Sequence, residues 1–191
     1  NQIKLEKAQF RLKYEELFFL QVKFLIKNKE IKRKFKGFKF SKIGNFFNDF
    51  YKNHLTFDLT NAQKRVIKEI RNDFASNYQM NRLLQGDVGS GKTIVAILSS
   101  LIAIDNGYQS CIVAPTEILA QQHFNNINNV LSNIGVKVNL LTGSTKKNDR
   151  KVIFGSLKEG LTHILIGTHA VFEEKVLFKN LGLAIIDEQH K

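Results

Sequence analysis

The stretch Gly86-Asp87-Val88-Gly89-Ser90-Gly91-Lys92-Thr93 decides how this chain folds. It fits the pattern G-x-x-x-x-G-K-[ST], whose glycines allow backbone angles that turn successive amides inward. The result is a concave anion nest at a helix N-terminus, where Lys92 reaches the outer phosphates of a nucleotide and Thr93 offers its hydroxyl to magnesium. At ordinary glycine usage a chance match in a chain of 191 residues arises roughly once in a hundred sequences. Context therefore matters: Leu83-Leu84 reads as a strand before the loop and residues 93–105 as a helix after it, as the pattern requires.

Outward from the loop, short apolar runs alternate with helical patterns. Residues 110–114, 136–141, 164–166 and 183–186 read as strands, and 117–133 and 147–158 as helices, with Gly107, Gly135 and Gly160 where left-handed C-caps are wanted. Strands apolar on both faces, alternating with helices, predict an α/β fold with a mostly parallel sheet covered by helices on both faces. Ligands of such sheets bind beyond the carboxyl ends of the strands. The run Leu183-Ala184-Ile185-Ile186-Asp187-Glu188 delivers two carboxylates to such an end. Asp187 joins Thr93 as candidate magnesium ligand, and Glu188 is placed to orient and deprotonate an attacking water; with Lys92 these acids form the candidate catalytic set.

Thr60-Asn61-Ala62-Gln63 reads as a capping box opening a further helix with the buried stripe Val66, Ile67 and Ile70. The Gln63 amide also suits an adenine edge, and Phe57 is placed to stack on that base. The expected ATP-binding set is Phe57, Gln63, Gly86, Asp87, Val88, Gly89, Ser90, Gly91, Lys92 and Thr93. Capping and base recognition stand side by side for Gln63.

Residues 1–53 are set apart as a helical extension in front of a nucleotide-binding lobe at 54–191. Within it, residues 8–31 read as one amphipathic helix on Tyr14, Leu17, Phe18, Gln21 and Leu25, and residues 32–42 as a basic surface linker. Phe46, Phe47, Phe50 and Tyr51 have the helical spacing of a packing face. Of the net charge of +12, residues 1–60 carry +8, with 14 Lys or Arg against 6 Asp or Glu. Such a surface attracts phosphate backbones without specifying the polymer, and a merely solvated lysine-rich surface explains it equally well. The single cysteine, Cys111, excludes a disulfide framework and reads as a small buried core residue in a reducing compartment. The longest apolar stretch, residues 17–26, is too short for a membrane span. A chain opening at Asn1 and ending just after its acidic motif reads as a piece of something larger.

Asp187-Glu188-Gln189-His190 is a DExH-type motif, and with the phosphate loop it resembles superfamily-two helicases. Met80-Asn81-Arg82-Leu83-Leu84-Gln85, Ala114-Pro115-Thr116-Glu117-Ile118-Leu119-Ala120, Thr142-Gly143-Ser144 and Gly167-Thr168-His169-Ala170 then look like the RecG family of branch-migrating DNA helicases. The resemblance covers residues 54–191; residues 1–53 are similar, less specifically, to that family's linker between wedge domain and motor. It implies a RecA-like P-loop lobe, incomplete at its C-terminal end, of a helicase that uses ATP and Mg2+ to remodel stalled forks and four-way junctions in recombination and repair. It further implies a monomer in the bacterial cytoplasm, associated with the nucleoid, with branched double-stranded DNA and single-strand binding protein as partners. By the same analogy Thr116, Glu117, Thr142, Gly143, Ser144, Thr168 and His169 line a DNA-facing side, suited to phosphate contacts that position without reading sequence. Helix capping is an equal reading of Thr116. His169 and His190 are not a metal pair, because no further ligands stand at zinc-like spacing.

Three other readings stay open: the motor lobe of a transcription-repair coupling factor, which shares the phosphate-loop wording; a P-loop ATPase acting on a partner other than nucleic acid; and a non-enzymatic binding module whose basic front holds DNA or a partner protein. Stimulation of ATP turnover by duplex DNA separates the helicase readings from the second, and the salt dependence of fork-DNA affinity without residues 1–53 separates them from the third. The family's third motif and its second lobe, with the arginine that stabilises transition-state charge, are not among these 191 residues. The isolated chain is therefore expected to bind nucleotide and hydrolyse it poorly. Robust turnover by the purified 191-residue chain, abolished by Lys92→Ala, overturns that expectation.

Overall fold

The computed structural model describes residues 2–34 and 36–188, with the backbone alone at 28 and 31–34. Its elements are α1 (Gln2–Lys34), α2 (Asn45–Asp49), α3 (Asn61–Phe74), α4 (Lys92–Asp105), β1 (Gln109–Val113), α5 (Glu117–Leu131), β2 (Val138–Leu141), α6 (Lys147–Glu159), β3 (Ile164–Gly167) and β4 (Leu181–Ile186). The sheet order is β2-β3-β1-β4 and every pairing is parallel, with Ile112 opposite Ile166 on one side and Ile185 on the other.

Alternation along the strands divides the core in two. Ile112, Ile164, Ile166 and Leu183 share a cluster with α4 and α5, behind which α3 packs, whereas Cys111, Val113, Leu141 and Leu165 face Ile153 and Leu157 of α6. Parallel strands buried on both faces must be apolar throughout, as β1 and β3 are. Helix α4 is apolar almost all round because it lies between the sheet and α3; Leu98 and Leu101 are wholly buried, each worth roughly 1.5–3 kcal/mol over the exposed state. Burial pushes the Cys111 thiol up to about 12, so it is an inert core group. Gly107, Gly135 and Gly160 close their helices or turns with φ of 82°, 76° and 79°.

Four expectations change. Leu83-Leu84 is not a strand: residues 79–86 lie on no ladder among the described residues, and Leu83 is 71% exposed. Apolar character proposes a strand, but a hydrogen-bonded neighbour makes one, and β4, the sheet's edge here, does not pair with it. Helix α1 is longer than expected and not one-sided. Leu17, Phe18, Phe19 and Leu20 are all exposed, and four consecutive residues go round the whole helix. The expected linker begins inside α1 and then enters the core: Phe40 is buried edge-on to Phe74 (4.9 Å) and tilted against Tyr108 (5.0 Å). Gly182 of β4 makes room for this pair, since a Cβ there would come within 2.6 Å of Tyr108 and 2.8 Å of Phe40. The helix expected over 117–133 stops at Leu131 and finishes in a 3-10 turn.

The segment before α3 is pinned by the end of α4. The Asp105 carboxylate accepts from the amides of Gly44 (2.9 Å), Phe46 (3.0 Å) and Phe47 (3.1 Å), satisfying the unpaired N–H groups of α2. Asn106 pairs both ways with the Lys42 backbone. Behind these bonds Phe50 is buried in the same cluster as Ile70 and Leu98, and Tyr51 stacks on Phe47. Asp105→Ala strands three amide donors and is expected to lower the unfolding free energy by about 2–4 kcal/mol, read by chemical denaturation. A loss no larger than that of an ordinary surface substitution would show that the pinning is dispensable.

Candidate functional site

The glycine-rich loop ends where α4 begins, with Gly91 as its N-cap at φ 77° and Gly89 at φ 80°. A Cβ at Gly91 would run into the Gln63 amide, so glycine is required there on two counts. The Ser90 amide donates to the Asp87 carbonyl (3.1 Å), and Val88 stands fully exposed at the tip. Lys92 folds back across the loop, its ammonium donating to the carbonyls of Gly86 and Asp87, each at 2.8 Å. Gln63 does two things with one side chain. Its Oε1 accepts from the Thr60 amide (2.9 Å), closing the capping box, and its Nε2 donates to the Ser90 carbonyl (3.1 Å), tying α3 to the loop. Phe57 is half exposed before α3 and stacks on no ring among the described residues.

Helix α4 descends from the loop and β1 returns, so Lys92, Thr93 and the carboxyl ends of the strands share one end of the sheet. Asp187 follows β4 there, its amide donating to the Val113 carbonyl (2.9 Å). One of its carboxylate oxygens meets Nε2 of His123 at 2.7 Å, and the other accepts from the Glu188 amide at 3.0 Å. Glu188 has φ 49°, in the left-handed region that a side chain enters only at some cost, a mark of sites where geometry is imposed from around. Gln189 and His190 lie outside the described residues.

The residues expected on a DNA-facing side gather at the same end but not at one depth. Thr116, Glu117, Gly143, Ser144 and His169 are exposed, whereas Thr142 and Thr168 are buried at 4% and 2%. Thr116 caps α5, accepting from the Leu119 amide (3.3 Å). Glu117 reaches across to Ser144, accepting from its amide (3.1 Å) and its hydroxyl (2.7 Å). Arg150 clamps the turn from behind, donating to the carbonyls of Thr142 (2.8 Å), Gly143 (3.2 Å) and Thr145 (3.1 Å) while pairing with Glu173. Neither Arg150 nor His123 was singled out from the sequence; each acts only through partners the fold brings to it.

Residues 60–191 match the protein family described as DEAD/DEAH box helicase. The chain belongs to that family. It is 50% identical over 181 residues to the ATP-dependent DNA helicase RecG of Aquifex aeolicus, covering 95% of this chain and 23% of that protein. The RecG of Thermotoga maritima is 49% identical over 187 residues, 98% of this chain and 24% of that protein. The solved structure described as RecG bound to a three-way DNA junction superposes with a TM-score of 0.87 at 48% identity, over 98% of this chain and 25% of that one. The chain thus spans about a quarter of the length of the relatives it matches. The RecA-like lobe expected from the sequence, a parallel sheet with flanking helices behind a long N-terminal helix, is the fold found in this helicase chain.

The Ser144 hydroxyl, then the Ser144 and Gly143 amides and nearby His169, hold the Glu117 carboxyl below the usual glutamate range. A depressed carboxyl keeps its full effect above the ordinary value and loses it as pH falls through the lower, folded one. The Ser144 amide resonance is therefore expected to titrate with a midpoint below that of an ordinary glutamate, and not to titrate in Glu117→Gln. An ordinary midpoint would show that the brace is not formed in solution.

Proposed function

We propose that this chain is the nucleotide-binding part of an ATP-driven DNA translocase that remodels branched double-stranded DNA, such as stalled forks and four-way junctions. The observation that carries the reading is the convergence of a left-handed glycine loop, its lysine and a braced acidic pair at the carboxyl end of one parallel sheet. The relative bound to a three-way DNA junction supports branched DNA as the substrate class.

In this reading the loop amides cradle the phosphates of ATP, and Lys92 exchanges the carbonyls of Gly86 and Asp87 for phosphate oxygens. Gln63 engages the base through the amide that also holds the Ser90 carbonyl, so the loop senses the base. Glu188 takes the proton of the attacking water as the new P–O bond forms and the bond to the β-phosphate oxygen breaks, with ADP leaving. Thr93 and Asp187 offer hard oxygen donors, and among the described residues no cluster of three His, Cys, Asp or Glu could hold a metal unaided. That donor set fits magnesium, which Thr93 and Asp187 would hold and which would supply charge neutralisation at the terminal phosphates. The Ser144 turn and the N-terminal end of α5 face the nucleic acid, and Glu117, holding the amide and hydroxyl of Ser144, fixes the shape that the turn presents to phosphate.

The test uses the full-length protein. Turnover is expected to rise with fork DNA and to fall by roughly a hundredfold or more in Lys92→Ala, as for loss of a group that stabilises transition-state charge. Unchanged turnover in that variant would sink the assignment of the loop, and indifference to DNA would sink the substrate class.

A further inference from the structure

His123 of α5 reaches Asp187 of the acidic pair, and the phosphate chemistry proposed above does not call on it. Its Nε2 lies 2.7 Å from Asp187, and it is largely buried, with 18% of the side chain exposed. A carboxylate can only accept, so the ring nitrogen donates and fixes which way that carboxylate oxygen points. The other oxygen and the amide of Asp187 are already engaged by backbone. Two turns earlier on the same face of α5 stands Thr116, roughly 10 Å away along the axis. Beside it, Glu117 grips both donors of Ser144. Ala120 between these ends, and Ile127 and Leu131 beyond His123, are all but fully buried and hold α5 as one rigid body against the close-packed core, so any displacement is shared along the helix.

We infer that His123 is a positioning residue, and that α5 is a strut linking the DNA-facing turn at Ser144 to the metal-binding acid Asp187, so that DNA binding and magnesium–nucleotide binding favour each other. The inference rests on the proposed ATPase reading and adds the path by which DNA governs that site. A load on Ser144 moves Glu117, Glu117 moves α5, and α5 carries His123 and the Asp187 carboxylate with it. Linkage makes the effect reciprocal: a nucleotide-loaded Asp187 sets the turn that meets DNA.

The experiment measures the affinity of full-length protein for a fluorescent, non-hydrolysable ATP analogue with magnesium, with and without saturating branched DNA. The ratio of the two dissociation constants is the coupling factor, expected at roughly fivefold or more in the wild type. His123→Leu is expected to bring the ratio close to one. His123→Gln, whose amide nitrogen reaches about as far as Nε2, is expected to restore at least half of the coupling. Should the leucine variant fail to fold, Glu117→Ala cuts the strut at its other end and is expected to show the same loss. A wild-type ratio of one, a wild-type ratio retained by His123→Leu, or an equal loss in the leucine and glutamine variants overturns the strut. Failure of the wild type to bind the magnesium–nucleotide analogue overturns the ATPase reading itself, and is distinguished from the former outcomes by needing no variant.

Discussion

The hydrogen-bonded pairing of β1 with β3 on one side and β4 on the other is the constraint from which the rest follows. Parallel neighbours cannot be joined by tight turns, so β1 and β2 are followed by α5 and α6, which carry the chain back, and with α4 these helices bury both faces of the sheet. Apolar side chains are thereby committed to the strands. Polar residues are left for the loops at the carboxyl ends, so the lysine, the acids and the Ser144 turn lie at the same end of the sheet. The arrangement of the site is a by-product of how a two-sided sheet must be wired.

What the wiring brings together, pairs of side chains then hold. Gln63 ties α3 to the loop, His123 ties α5 to Asp187, Glu117 ties α5 to Ser144, and Arg150 ties α6 to the carbonyls behind that turn. Each brace joins two different elements, so the glycine loop, Asp187 and the Ser144 turn are each held from outside their own loops. This also accounts for an acid on a surface proposed to face phosphates. Both oxygens of Glu117 are occupied by Ser144 donors, so the residue organises that surface and its carboxylate is turned away from the role of a contact.

Periodicity and capping chemistry made α4, α5, α6 and the four paired strands readable from the residues, because local pattern and final environment agree there. Leu83-Leu84 misled because strand identity is a property of a pair. Phe40 misled because a basic, glycine-bearing neighbourhood reads as surface, and only its meeting with Phe74 and Tyr108 makes it core. In α1 the apolar stripe was real but so were its neighbours, so no face could be told from another. The loop, Asp187, Glu188 and the capping role of Gln63 came from motif spacing, whereas the bond from Gln63 to the Ser90 carbonyl did not. His123 did not, since 64 residues separate it from its partner and nothing local marks it. The depth difference between Ser144 and Thr168 was likewise invisible, because both are small hydroxyl residues at strand ends and only the fold decides which one surfaces.

Lys92 has one further consequence. With its ammonium already solvated by two carbonyl dipoles of its own loop, capture of an anion there is a swap of ligands and not a simple addition. On the proposed nucleotide-binding reading, the internal carbonyls compete with an incoming phosphate for the same ammonium, so the more negative charge the guest brings, the more completely it displaces them.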